Sequence, residues 1–281
     1  MMFMASSRVN ERDRFEFGKN WSRFLKVLDE DRICEAEKSL KQMLGVDDLN
    51  SQSFLDIGSG SGLFSLAARR LGAKVHSFDY DRLSVACTRE LKRRYFPDDT
   101  QWTIEPGDVL DIAYLKTLGK YDIVYSWGVL HHTGAMWQAL ENVAALVLKG
   151  GKLFISIYND QGNASRRWRA LKKFYNRSSK PLRLMIILGI GVMSQTYAAV
   201  VRVYQRQNPL PFKAWDDRKK NRGMSVWHDL VDWVGGYPFE VAKPEEVFEF
   251  YKKRGFNLSK LNTRGGGSGC NQYVFMRELA R

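Results

Sequence analysis

The chain has 281 residues with 44% apolar content, enough to bury a full core and too much for a disordered or fibrous chain. Its 44 Lys and Arg against 31 Asp and Glu leave a formal charge of +13, which points toward an anionic surface or substrate. Cys34, Cys87 and Cys270 stand far apart with no CxxC pair, so no disulfide framework or metal site is expected; with no signal-like apolar run before Arg8–Arg14, a cytoplasmic chain is expected.

From Trp21 to Leu44, apolar residues at Phe24, Leu25, Leu28, Ile33, Ala36, Leu40, Met43 and Leu44 recur with a helical period, which predicts a helical segment within 1–49. Phe54–Ile57 then reads as a buried strand running into Gly58-Ser59-Gly60-Ser61-Gly62. Glycine accepts positive φ there and leaves no Cβ between backbone and ligand, at the N-terminus of a helix begun by Leu63-Phe64-Ser65-Leu66. The dinucleotide fingerprint wants glycine at its sixth position, but Leu63 stands there, and Asp56 precedes the first glycine by two residues. That departs from a nicotinamide cofactor.

Lys74–Asp79 reads as a second strand, ending in an acid about 20 residues past the glycines, where a carboxylate can hold both hydroxyls of a ribose. Gly107-Asp108-Val109-Leu110 follows, then a strand over Tyr121–Ser126 continued by Trp127-Gly128-Val129-Leu130-His131-His132, and a strand over Lys152–Ile157. An antiparallel hairpin is predicted from Gly255–Leu261 and Asn271–Met276, with a glycine-rich turn between them.

The connection from Ile157 to that hairpin is longer than compact α/β units use, and 161–240 is assigned to an insertion. Its first part interleaves Arg166, Arg167, Arg169, Lys172, Lys173, Arg177 and Lys180 with Trp168, Leu171, Phe174 and Tyr175, predicting a helix with an aromatic face and a cationic one. Leu184–Val201 carries no charge and meets the length of a membrane span. A span would separate the earlier strands from the hairpin, so the alternatives are a buried or oligomer-forming lid and a helix lying on a membrane surface, with Arg183, Arg202 and Arg206 at its ends. Farther on, His228, Asp229 and Trp233 form a candidate substrate wall, or else a loop packed on the sheet. Pro244-Glu245-Glu246-Val247 starts a short helix, proline and acids being suited to a first turn.

In order, Asp56 with its alternating glycines, Asp79, Gly107-Asp108-Val109 and Tyr121–Trp127 resemble the motifs of the class I S-adenosylmethionine (SAM) methyltransferases, with the match covering residues 50–160. The resemblance implies an α/β fold: a Rossmann-like, seven-stranded, mostly parallel sheet closed by the hairpin of 241–281, with an N-terminal helical cap over the pocket. It implies SAM as cofactor, held by Asp56, Gly58, Ser59, Gly60, Gly62, Asp79, Tyr80, Asp108, Val109, Ser126 and Trp127. Asp79 would take the ribose and Asp108 the exocyclic amine of adenine, with the following backbone N–H on a ring nitrogen. Phe17, Lys19, Asn20 and Trp21 become cap residues, Phe17 and Trp21 on the substrate side; the alternative is that the aromatics only fasten helix to sheet.

A methyl on a sulfonium needs a nucleophile aligned behind it and, for a hydroxyl, a base. His131 and His132, just past the fourth strand, are the first candidates, or else they organise a helix start. Tyr158, Asn159 and Asp160 are the second, as catalytic or substrate-orienting groups. Two departures narrow the acceptor. Ser126-Trp127-Gly128-Val129 replaces the Asn/Asp-Pro-Pro-aromatic tetrad of enzymes acting on planar amines, and no cysteine follows the fourth or fifth strand for attack on pyrimidine carbon. The pattern resembles the quinone-biosynthesis and natural-product branch, implying a small-molecule or lipid-linked acceptor methylated on oxygen. An RNA methyltransferase and a non-catalytic SAM-binding protein are the alternatives, and nucleic acid is not the expected partner.

Overall fold

Five strands run parallel in the order β3-β2-β1-β4-β5: β1 (Ser53–Ile57), β2 (Lys74–Asp79), β3 (Trp102–Pro106), β4 (Tyr121–Trp127) and β5 (Val147–Tyr158). The chain closes the sheet with an antiparallel hairpin of β6 (Phe256–Asn262) and β7 (Cys270–Arg277), in which β7 lies antiparallel beside β5 and β6 forms the edge. This is the expected seven-stranded Rossmann-like sheet. The order reverses direction between β1 and β4, so the carboxyl ends of those strands open a crevice. The structure, a computed structural model, describes residues 14–208, 210, 226–265, 267 and 269–279. The side chains of 226–229 and 232 lie outside the described residues, and with them the candidates His228 and Asp229.

Both sheet faces are covered. On one, α1 (Phe17–Phe24), α2 (Glu30–Leu44), α3 (Leu63–Arg70) and α4 (Arg82–Tyr95) enclose Ile33, Leu40, Phe54, Leu66, Leu91 and Trp102. On the other, α5 (Ile112–Leu118), α6 (Met136–Ala145) and α10 (Pro244–Lys252) enclose Leu55, Leu140, Val247, Tyr251 and Phe275. The predicted helical stretch 21–44 is two helices. Asp29 takes extended backbone and its carboxylate accepts the Arg32 N–H at 3.1 Å, capping α2 afresh, while Gly45 at φ 64° ends it. The break lets α1 swing over the crevice while α2 stays on the sheet.

The insertion forms α7 (Asn163–Arg177), α8 (Lys180–Tyr204) and α9 (Val226–Gly235) around a small separate core of Tyr175, Ile187 and Val234. A lid buried within this chain is not what α8 becomes: Ile187 is its one buried residue, and Met185, Val192 and Tyr197 are each about two-thirds exposed or more. In α7 the predicted faces also shift. Phe174 points to solvent, whereas Lys172 is fully buried.

Candidate active site

The turn after β1 is held by backbone hydrogen bonds that only its glycines permit. Gly58 and Ser59 both donate to the Phe78 carbonyl, at 2.8 and 3.1 Å, and Gly62 donates to Ser59 at 2.8 Å. Gly58, Gly60 and Gly62 have φ of 77°, 57° and 82°. A Cβ on Gly58 would lie 2.5 Å from the Val129 methyls, and one on Gly60 would lie 3.0 Å from the Trp21 indole nitrogen. Gly58→Ala combines a left-handed backbone costing about 1–2 kcal/mol with displacement of Val129. It should lower donor affinity at least tenfold by calorimetry; parent-like affinity would show that the turn relaxes freely.

Asp79 closes the turn from β2. Its Oδ2 accepts the Gly60 N–H at 2.9 Å and its Oδ1 the Asp81 N–H at 2.8 Å, leaving lone pairs for a ligand. Burial raises its pKa to about 6 against the pull of those two N–H groups. Asp56, deeper and 2% exposed, is raised to about 7 by burial, with the Ser65 hydroxyl donating to it and Asp79 adding repulsion. A cationic ligand would relieve both carboxylates. Asn20 of α1 also lines the space, and its buried Nδ2 has no hydrogen-bond partner among the described residues, so a donor awaits an acceptor there.

These groups line one cleft of about 2310 Å³ that runs from the glycine turn past His132 to α8. Tyr80, Asp108, Val109, Trp127, Phe17, Trp21, Tyr158 and Trp233 line it too, as do Gly58, Ser59 and Gly60. Asp108 accepts the Leu110 N–H at 2.8 Å, which fixes the loop. Among the lining residues that sequence reasoning did not place in the site, two bear on its shape. Arg14 donates to the Thr133 carbonyl at 3.0 Å and lies 5.0 Å over the Tyr80 ring, bridging the cleft mouth; Trp168 of α7 packs 5.5 Å from Trp233. A helical spacing from Trp168 to Lys172 and Tyr175 was the available signal for the second.

Several predicted residues fall elsewhere. Ser126 is fully buried and its hydroxyl donates to the Ile57 carbonyl at 3.0 Å, tying β4 to β1. Gly62 caps α3 and faces Thr88, outside the cleft lining. Asn159 donates to the Gly265 carbonyl at 3.1 Å and accepts from Asn271 at 3.1 Å, while Asp160 accepts the Gly162 N–H; both line a separate shallow hollow. At these positions strand ends and turns satisfy their own backbone. Among the described residues, no group of three or more His, Cys, Asp and Glu side chains could hold a metal.

The histidine pair divides. His131 is 0% exposed, lies behind the cleft lining and packs 4.1 Å from the Tyr158 ring. Among the described residues, neither of its ring nitrogens has a hydrogen bond of good geometry, and burial, with His132 and Lys172 nearby, holds its pKa well below the usual value against a Ser156 backbone group. His132 lines the cleft, with Nδ1 2.5 Å from the Pro238 carbonyl oxygen. A carbonyl only accepts, so Nδ1 carries the proton and Nε2 keeps a lone pair. His131→Phe should leave turnover intact while improving stability at acid pH. A depressed histidine contributes stability above its unfolded pKa of about 6.5 that is lost as pH falls below it. Denaturant melts at pH 5 and 8 read this, and an unchanged pH difference in the variant would count against it.

Behind Tyr158, Lys172 donates to the Trp233 carbonyl and lies 4.6 and 4.8 Å from the Trp233 and Phe239 ring centres. One buried cation thus fastens α7, α9 and the end of β5. Lys172→Ala should cost about 2–4 kcal/mol through the cavity and the orphaned carbonyl, read by urea unfolding. A loss below about 0.5 kcal/mol would mean the wall reseals.

The fold and the glycine-acid crevice are those of a class I SAM-dependent methyltransferase. A family model described as a methyltransferase domain matches residues 28–229, and the chain belongs to that family, whose donor is SAM. The chain is 31% identical over 112 residues to a ubiquinone biosynthesis O-methyltransferase of Xanthomonas oryzae pv. oryzae, covering 40% of this chain and 45% of that one. It is 32% identical over 111 residues to a tRNA U34 carboxymethyltransferase of Colwellia psychrerythraea, covering 39% and 33%. The chain thus spans less than half the length of these curated relatives. The crystal structure of magnesium protoporphyrin IX methyltransferase from Synechocystis PCC 6803 with bound SAH superposes with a TM-score of 0.53 at 15% identity, covering 92% of this chain and 94% of that one, a likeness of fold.

Proposed function

We propose that the chain transfers the methyl group of SAM by in-line displacement to an oxygen of a small-molecule or lipid-linked acceptor. Bound there, the donor supplies an electrophilic methyl on a positively charged sulfur. Asp79 would hold the ribose, Asp108 with the Val109 backbone the adenine, and Asp56 and Asn20 the charged amino-acid end. Trp21 covers the turn, and with Arg14 and Phe17 it narrows the access of water.

The observation that supports an oxygen acceptor is His132. Its Nε2 is the free lone pair on a cleft-lining residue whose other nitrogen is committed to Pro238. Around it Phe17 at 5.0 Å and Tyr158 at 5.5 Å, with Trp233 and Phe239 beyond, make an apolar, aromatic wall suited to a ring or chain. Incubation with methyl-labelled SAM and separate fractions of lipid extract, soluble metabolites, RNA and protein tests the reading. Label is expected in the first two; label confined to RNA or protein would replace it.

A further inference from the structure

The exposed face of α8 is the largest feature that methyl transfer leaves unused. We infer that α7 and α8 rest on an anionic bilayer surface and that the acceptor is amphipathic, a polar nucleophilic head on an apolar tail, drawn from that surface into the cleft. The second half of this rests on the reading above; the first half stands without it.

Length and exposure come first. The 25 residues of α8 extend about 37 Å, the described chain's one helix long and apolar enough to cross a membrane, yet little of it is buried. Leu184, Met185, Leu188, Val192, Met193 and Tyr197 are each half exposed or more, a continuous apolar face of the kind soluble surfaces avoid. It does not cross. β5 precedes the insertion and pairs directly with β7, which follows it, so both ends return to one sheet and a single crossing would divide it.

Charge then selects the occupant. Residues 161–206 hold ten Lys and Arg and no Asp or Glu, while 184–201 hold no charge at all. Arg166, Arg167, Lys173, Arg177 and Lys180 are exposed along α7 and at the start of α8, and Arg206 is exposed beyond its end. Cations framing an apolar stripe match anionic headgroups above acyl chains. A second copy seated on the same face would set cation against cation. Finally, Leu188, Gly191, Met193 and Gln195 line the same cleft as His132 and Trp233, so an apolar tail can lie along α8 while the head reaches the histidine.

The test floats the full chain with vesicles of phosphatidylcholine, alone or with one-third phosphatidylglycerol. Capture is expected on the mixed vesicles only, and should be lost in high salt. Met185→Glu combined with Val200→Glu changes two exposed residues outside the cleft and should cut capture at least tenfold while S-adenosylhomocysteine affinity stays as in the parent. Full capture of this variant, or no capture of a parent that binds S-adenosylhomocysteine normally, overturns the surface. So does a dimer in light scattering that the same pair abolishes, in a chain that ignores vesicles. For the acceptor, methyl label should enter the organic-soluble fraction of a lipid extract and fall with the same pair. Label confined to water-soluble acceptors overturns the amphipathic substrate. A parent that captures vesicles but binds no S-adenosylhomocysteine upholds the surface and fails the methyl-transfer reading instead.

Discussion

Replacing Asp79 with alanine is expected to weaken S-adenosylhomocysteine binding by about 1–3 kcal/mol, roughly 5- to 150-fold. The carboxylate is the proposed ribose acceptor, and it also holds the N–H groups of Gly60 and Asp81, so its loss unpairs ligand and turn together. The effect should depend on pH. With its pKa raised to about 6 by burial, Asp79 is favoured in its protonated form in the ligand-free fold, a stability present below its unfolded pKa and lost as pH rises through 6. A ligand offering two hydroxyl donors prefers the anion. Titration of Asp79 alone should therefore lower parent affinity about tenfold between pH 7 and pH 5, with Asp56, raised to about 7, adding to the fall, and Asp79→Asn, which does not titrate, should remove the Asp79 share of that slope. Calorimetry at unit pH steps decides it. A parent affinity independent of pH, or an alanine variant that binds normally, would remove the ribose from Asp79.

The sheet and the donor crevice were readable because their signals are local. Alternating glycines can satisfy the positive φ angles at Gly58, Gly60 and Gly62, and the short segment Lys74–Asp79, ending in an acid, marks β2 to the residue. β3 carried less signal: Trp102–Pro106 buries only Trp102 fully, and its alternation of Trp102 and Ile104 with Thr103 and Glu105 spans only five residues before a proline. The break at 25–29 was hidden by an apolar stripe that continues through it, although Asp29 with Glu30 and Asp31 behind it is a helix start in composition.

Orientation was harder to read than position. Ser126 and His131 sit in motifs where cleft residues are expected, but β4 alternates and the turn after it rotates, so one points at β1 and the other into the core. Lys172 belongs by residue type with the solvated cations of α7; by spacing it belongs with Ser165, Trp168 and Tyr175, and spacing wins because the aromatic walls and a carbonyl receive its charge. Tertiary partners 60 residues away cannot be seen in a helix period. That same distance explains why Pro238, which fixes the tautomer of His132 across a separation of 106 residues, left no trace in the motif.

His132→Ala should lower kcat by about 10²- to 10⁴-fold with S-adenosylhomocysteine affinity unchanged, the range usual for a lost general base. The surroundings set an unusual condition on that base. Burial pushes the His132 pKa to about 3, against the hydrogen bond to Pro238 and with Lys172 and Arg14 adding repulsion, so Nε2 is unprotonated throughout the physiological range. A base this weak does not ionise a hydroxyl in advance. It serves a proton that becomes acidic during transfer: an alcohol oxygen that has accepted a methyl is an oxonium, a far stronger acid than imidazolium, and Nε2 takes its proton as the new bond forms. Two measurable consequences separate this from a histidine titrating near 6.5. Turnover of the parent should show no acid limb between pH 5 and 8 assignable to His132, and His132→Gln, which keeps an acceptor in the cleft, should retain more activity than the alanine variant. A kcat within threefold of the parent in His132→Ala, a change of roughly 0.7 kcal/mol or less, would mean that the acceptor arrives already ionised and that the histidine only shapes the wall.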